Sequence, residues 1–239
     1  MTDDLSDFIS MREPTALRPL LGLTVLVVED SRFACEAIRL MCLRSGARIR
    51  RADCLASARR HLAAYRPTVV VVDVGLPDGS GLDLMEEIAG RTPRVPVLLG
   101  TSGDAGAKEA ALATGADGFL TKPLESLLAF QSAILSVLPA TARPVLASGS
   151  ADDHVVPDQM ALHDDLAQVA DMLGNAADGA TLDYLAQFLS GIARSAHDAP
   201  LEAAVQALTR DRIAGRDTGM LVTRVNGLVR ARLAAGSAF

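Results

Sequence analysis

Cations of one kind are nearly missing: the chain has two lysines, Lys108 and Lys122, against 21 arginines. Acidic side chains outnumber basic ones, leaving a formal net charge of −6, which disfavours nucleic acid because backbone phosphates are held by clustered Lys and Arg. Residues 1–138 carry 15 basic and 17 acidic side chains, and residues 151–239 carry 7 and 12, so the tail is the more acidic part. Arg48, Arg50 and Arg51 do cluster, but in a strand-like stretch where charges suit a sheet edge. The three cysteines, Cys35, Cys42 and Cys54, are odd in number and lack metal-ligand spacing, which excludes a disulfide or zinc framework and predicts buried thiols. No apolar run approaches the roughly 18 residues that span a bilayer. The acidic start Met1-Thr2-Asp3-Asp4 has no hydrophobic signal core, so a cytoplasmic protein without membrane contact is expected.

What is present is a rhythm. From Leu23 onward, short β-branched runs alternate with helical stretches, the pattern of βα units around a parallel sheet. Strands are expected near 23–29, 47–52, 68–73, 95–100 and 118–121, with helices near 31–44, 55–65, 82–89, 105–114 and 125–138. Residues 1–21 hold Pro14 and Pro19 without sustained periodicity and read as an extension, disordered or draped over a domain spanning 22–138. Residues 139–157, rich in Pro, Ala, Ser, Gly and Asp, read as a flexible linker. Beyond it, apolar positions at three- and four-residue spacing predict helices near 159–173, 182–196, 201–209 and 220–233, enough for a small all-α bundle over 158–239. The linker is expected to uncouple this unit.

The chemistry lies at the strand ends. Glu29-Asp30 closes the first apolar run, Asp73 closes Thr68-Val69-Val70-Val71-Val72, Thr101 follows the fourth run, and Lys122-Pro123 follows the fifth. Open α/β sheets gather such positions at one edge. Three carboxylates brought together there repel unless a cation intervenes, and a hard oxygen-binding ion such as Mg²⁺ fits them. No Gly-x-Gly-x-x-Gly follows the first run, which argues against a dinucleotide fold, and Gly75 stands where an aspartate phosphatase would want a second Asp. Gly100-Thr101-Ser102-Gly103-Asp104 lacks the last glycine of a nucleophile elbow.

Glu29-Asp30, Asp73, Thr101 and Lys122-Pro123, in this order and spacing, resemble the receiver domain of two-component response regulators over residues 22–138. The resemblance implies a flavodoxin-like five-stranded parallel sheet of order 2-1-3-4-5, with Asp73 accepting a phosphoryl group from a sensor histidine kinase or phosphotransfer protein. It also implies Mg²⁺ held by Glu29, Asp30, Asp73 and the Gly75 carbonyl, with Lys122 supplying a cation, Thr101 a hydroxyl, and Phe119 swinging with Thr101 as a switch. On that reading the protein is a phospho-acceptor, not an enzyme in the usual sense, labelling itself from small donors and losing the phosphate slowly. Gly75 and Gly103 are expected to leave the in-line approach to phosphorus unshielded, and Lys122 to be only partly buried.

The tail is expected to dock a downstream protein or to form a homodimer. The alternative is a relay through His163, since Leu162-His163-Asp164-Asp165-Leu166 weakly resembles a histidine-kinase box. That segment lacks the basic residues usually upstream, and Ala196-His197-Asp198 lacks the Lys-Gly of phosphotransfer domains.

Overall fold

The structure is a computed structural model that describes residues 13–104, 106–138, 154–175 and 179–236. Five parallel strands form the sheet: β1 (Thr24–Val28), β2 (Arg48–Ala52), β3 (Val69–Asp73), β6 (Val97–Ser102) and β7 (Gly118–Thr121), ordered β2-β1-β3-β6-β7. Counted as sheet strands alone this is the expected 2-1-3-4-5 order. The other two, β4 (Gly75–Leu76) and β5 (Gly79–Ser80), form a small antiparallel hairpin after Asp73 that the sequence pattern did not announce. Two residues per arm are too few to show a period.

Composition explains the placement. β3 is four valines and an aspartate, buried on both faces, as a central parallel strand must be. The arginine-rich β2 takes the edge, with Arg48, Arg50 and Arg51 exposed. Alternate side chains feed two cores. On one face Val25, Val27, Val69 and Val71 meet α1 (Arg32–Ser45) and α5 (Leu127–Leu135) through Ile38, Met41, Phe130 and Ile134. On the other, Leu26, Val28, Val70 and Val72 meet α2 (Leu55–Ala64), α3 (Gly81–Ala89) and α4 (Ala107–Ala113) through Ala58, Leu84, Met85, Ile88 and Ala111. Ser31 caps α1 by accepting from the Ala34 N–H, and Gly46, at φ 82°, closes its C-terminus in the left-handed region that favours glycine. Leu20, in the N-terminal extension, is fully buried in the first core, so residues 19–21 lie against the domain while 13–18 are exposed; residues 1–12 fall outside the described residues.

The tail comprises α6 (Gln159–Asn175), α7 (Gly179–Ser195), α8 (Ala199–Ile213) and α9 (Gly219–Gly236) around a core of its own that includes Val169, Leu185, Leu189, Ile192, Val205, Val225 and Val229. The expected uncoupling is not what the structure has. Most of the expected linker, 139–153, lies outside the described residues, but Val155 is buried in the first core and its N–H donates to the Glu125 carbonyl. α6 and α7 pack on α1, and α7 also contacts the β4–β5 hairpin, which places the bundle over the strand ends. The reason is polar: carboxylates and a hydroxyl on α6 and α7 meet groups at that edge, as described next.

Candidate functional site

Register assembles the site. Val28 pairs with Val72, so the next residue on each strand brings Glu29 beside Asp73; Asp73 pairs with Thr101; and Ser102 pairs with Thr121, the residue before Lys122. One oxygen from each of Glu29, Asp30 and Asp73 lies within 4.8 Å of the others. Gly81 holds this corner together. Its N–H donates to the Val74 carbonyl, and a Cβ there would fall 1.8 Å from the Asp73 carbonyl oxygen, so no other residue fits.

Lys122 Nζ lies 2.9 Å from Asp73 Oδ2, to which it donates, and 2.7 Å from Glu29 Oε2. The second approach pairs the ions without hydrogen-bond alignment, since Glu29 Oε2 has no hydrogen-bond partner. Lys122 is 5% exposed, which corrects the expectation of partial burial: two carboxylates draw it in. Burial alone would lower its pKa, but the charges of Asp73 and Glu29 overcome this and raise it above the usual lysine range. Burial, then the Asp73 charge, raises Glu29 well above the ordinary carboxylate value. Burial likewise pushes Asp30 up to about 6, against the hydrogen bond it accepts from Tyr184.

A divalent cation fits this donor set. Three carboxylate oxygens converge, and the buried Asp30 Oδ1 has no hydrogen-bond partner, a vacancy in its bonding that costs free energy until something positive meets it. Thr101 is fully buried and its Oγ1 donates to the Leu120 carbonyl, 2.8 Å away, so its hydroxyl is turned into the fold. Phe119 is half-buried beside the second core, near Gly100.

The tail supplies what sequence reasoning missed. Tyr184 donates to Asp30 Oδ2 at 2.5 Å. Asp165, 1% exposed, accepts from the Ser31 hydroxyl and from the Arg32 and Phe33 N–H groups, so a tail carboxylate sits on the N-terminus of α1. Arg32 pairs with Asp164, and His197 Nε2 lies 2.5 Å from Glu125 Oε1. Gly75 and Gly103 are not left open: Gln187 fills the space beside the first and Arg194 the space beside the second. Asp165 stood within the histidine-box segment and Tyr184 is one of two tyrosines, but nothing local marked Gln187 or Arg194. His163 is half-buried on α6 and does not line the cavity that contains Asp73.

This arrangement of sheet, acidic corner and buried lysine is that of a signal-receiving domain. The family model of the response regulator receiver domain matches residues 25–130, and the chain carries that domain there. The region is 41% identical over 101 residues to the probable transcriptional regulatory protein TcrX of Mycobacterium tuberculosis, covering 42% of this chain and 43% of that protein. It is 30% identical over 99 residues to the KDP operon transcriptional regulatory protein KdpE of Escherichia coli, covering 41% and 44%. The chain therefore spans less than half the length of these relatives. NtrX of Brucella abortus, a solved structure, is 25% identical over 49% of this chain and 28% of its own, with a TM-score of 0.44. None of the helices α6 to α9 lies in the family match.

Proposed function

We propose that Asp73 accepts a phosphoryl group from a sensor histidine kinase or phosphotransfer protein, and that the change is read through the helical tail. The observation carrying this reading is the buried Lys122 ammonium shared between Asp73 and Glu29 at the strand ends. Transferring phosphoryl groups carry charge on peripheral oxygens, and catalysis consists of positioning plus preorganised positive charge. Glu29, Asp30, Asp73 and the Gly75 carbonyl would hold Mg²⁺, which supplies the charge neutralisation that lets an anionic donor approach three carboxylates. The Asp73 carboxylate is the nucleophile, Lys122 draws negative charge from the transferred group, and the Thr101 hydroxyl, released from Leu120, turns to meet it while Phe119 follows.

The tail is read as a protein-binding or dimerising unit. Its acidic balance argues for a protein, while the transcriptional-regulator names of the relatives remove the ground for excluding DNA as a partner of the whole molecule. No observation favours the relay through His163.

Intact mass after treatment with acetyl phosphate and Mg²⁺ tests the assignment. One added phosphate is expected, lost in Asp73→Asn and in the presence of EDTA. Equal labelling of Asp73→Asn would refute it.

A further inference from the structure

Gly75 lies two residues past Asp73, and the space its missing side chain leaves is taken by the bundle. A Cβ built on Gly75 would lie 2.2 Å from the Gln187 side-chain nitrogen. Gln187 projects from the middle of α7 and lines, with Glu29, Asp73, Gly75, Ser102 and Lys122, a cavity of about 600 Å³ between the two units. Gln187 is an exposed residue, and among the described residues none hydrogen-bonds its side chain. An amide with both its donor and its acceptor free, beside the proposed phosphoacceptor and in contact with water, is equipped to hold a water molecule.

We infer that Gln187 is a catalytic residue for loss of the phosphoryl group from Asp73, so that the chain carries its own hydrolytic element on the tail. The inference rests on the reading of Asp73 as acceptor. In the step, a water oxygen attacks phosphorus while the bond from phosphorus to the Asp73 oxygen breaks. The bonding pair leaves with the Asp73 carboxylate; one proton of the water stays on the attacking oxygen, the other passes to a phosphoryl oxygen, and both depart on the released inorganic phosphate. Gln187 accepts a hydrogen bond from the attacking water through its carbonyl and donates one to a phosphoryl oxygen through its amide. It cannot take the proton and acts by orientation. A shielding role would call for an apolar lid that excludes water, whereas this side chain is polar and the cavity wall around it carries Asp104, Asp183 and Arg194.

The full chain and its Gln187→Ala and Gln187→Met forms, labelled with acetyl phosphate and Mg²⁺ and freed of donor, are compared by the decay of phosphorylated mass. Both variants are expected to hold the phosphate about tenfold longer, a modest loss beside that of removing an enclosed transition-state donor. Methionine fills the same space without the amide, so decay in Gln187→Met at the original rate would assign Gln187 to packing and overturn its catalytic role. Faster decay in either variant would make it a shield and overturn the role equally. These outcomes leave Asp73 as acceptor intact, whereas absence of any label on Asp73 in the unmodified chain overturns both readings.

Discussion

Tyr184 draws on the carboxylate that a cation would meet. Its hydroxyl donates to Asp30 Oδ2 and withdraws charge from the group whose other oxygen, Oδ1, is left for a metal, so metal binding at Asp30 opposes a hydrogen bond to a charged group, an interaction of about 1.5–3 kcal/mol. Tyr184→Phe is therefore expected to tighten Mg²⁺ binding by about tenfold, since about 1.4 kcal/mol is one decade. Titration calorimetry on the full chain measures this, and an unchanged affinity would mean that the two do not compete. The cysteines give a second expectation at this scale. Burial pushes the Cys35 and Cys42 thiols up to about 12, leaving them protonated and unreactive near neutrality, while Cys54 is half-buried. A colorimetric thiol reagent at pH 8 should modify Cys54 ahead of the other two, with all three reacting in denaturant. Asp73, Glu29, Asp30 and Lys122 were legible because each closes an apolar run, and that position alone converges them. Tyr184 and Gln187 were not, because their partners lie more than a hundred residues away and only docking brings them near.

At its N-terminus α1 relies on a residue of the tail. Asp165 from α6 accepts three hydrogen bonds there, from Ser31, Arg32 and Phe33, inside a buried contact. Asp165→Ala strands these donors and is expected to cost about 1–3 kcal/mol, read as a lower midpoint of thermal or urea unfolding. A midpoint equal to that of the unmodified chain would assign the contact no weight. Within the bundle, Asp198 caps α8 by accepting from the Leu201 N–H and pairs with Arg232 of α9, whose hydrogen bond holds its carboxyl below the usual 3.8. A depressed pKa means the contribution is full above 3.8 and disappears as pH falls through the lowered value. Acid unfolding of Asp198→Asn should accordingly show a shallower loss of stability below that pH than the unmodified chain. Strands and helices were readable from period 2 and period 3.6 patterns, whereas helix ends shifted by a few residues because capping sets them: α8 begins at Ala199, capped by Asp198, and not near 201.

At the scale of the molecule, the tail helices pack around a core apart from the two that flank the sheet, and sequence composition gave no sign that one unit lies on the other. Each core is built from local periodicity, whereas the hydrogen bonds between the units come from single polar side chains with no repeat to detect. Because Gln187 must stay beside Gly75 to act, adding Mg²⁺ with beryllium fluoride, an analogue of the acyl-phosphate group, is expected to leave α7 protected and to raise amide hydrogen exchange where α6 meets α1. Unchanged exchange there would mean the bundle stays seated.

The Tyr184 contact also has a thermodynamic consequence for whatever the tail binds. If seating the bundle weakens the pocket's hold on a cation by some factor, then linkage requires the cation to weaken the seating by the same factor. A ligand that grips only the released bundle therefore raises the pocket's affinity for metal without touching it. Information in this chain would then run in both directions: the output partner sets how readily the input is accepted, and its concentration belongs in any account of how strongly the signal is felt.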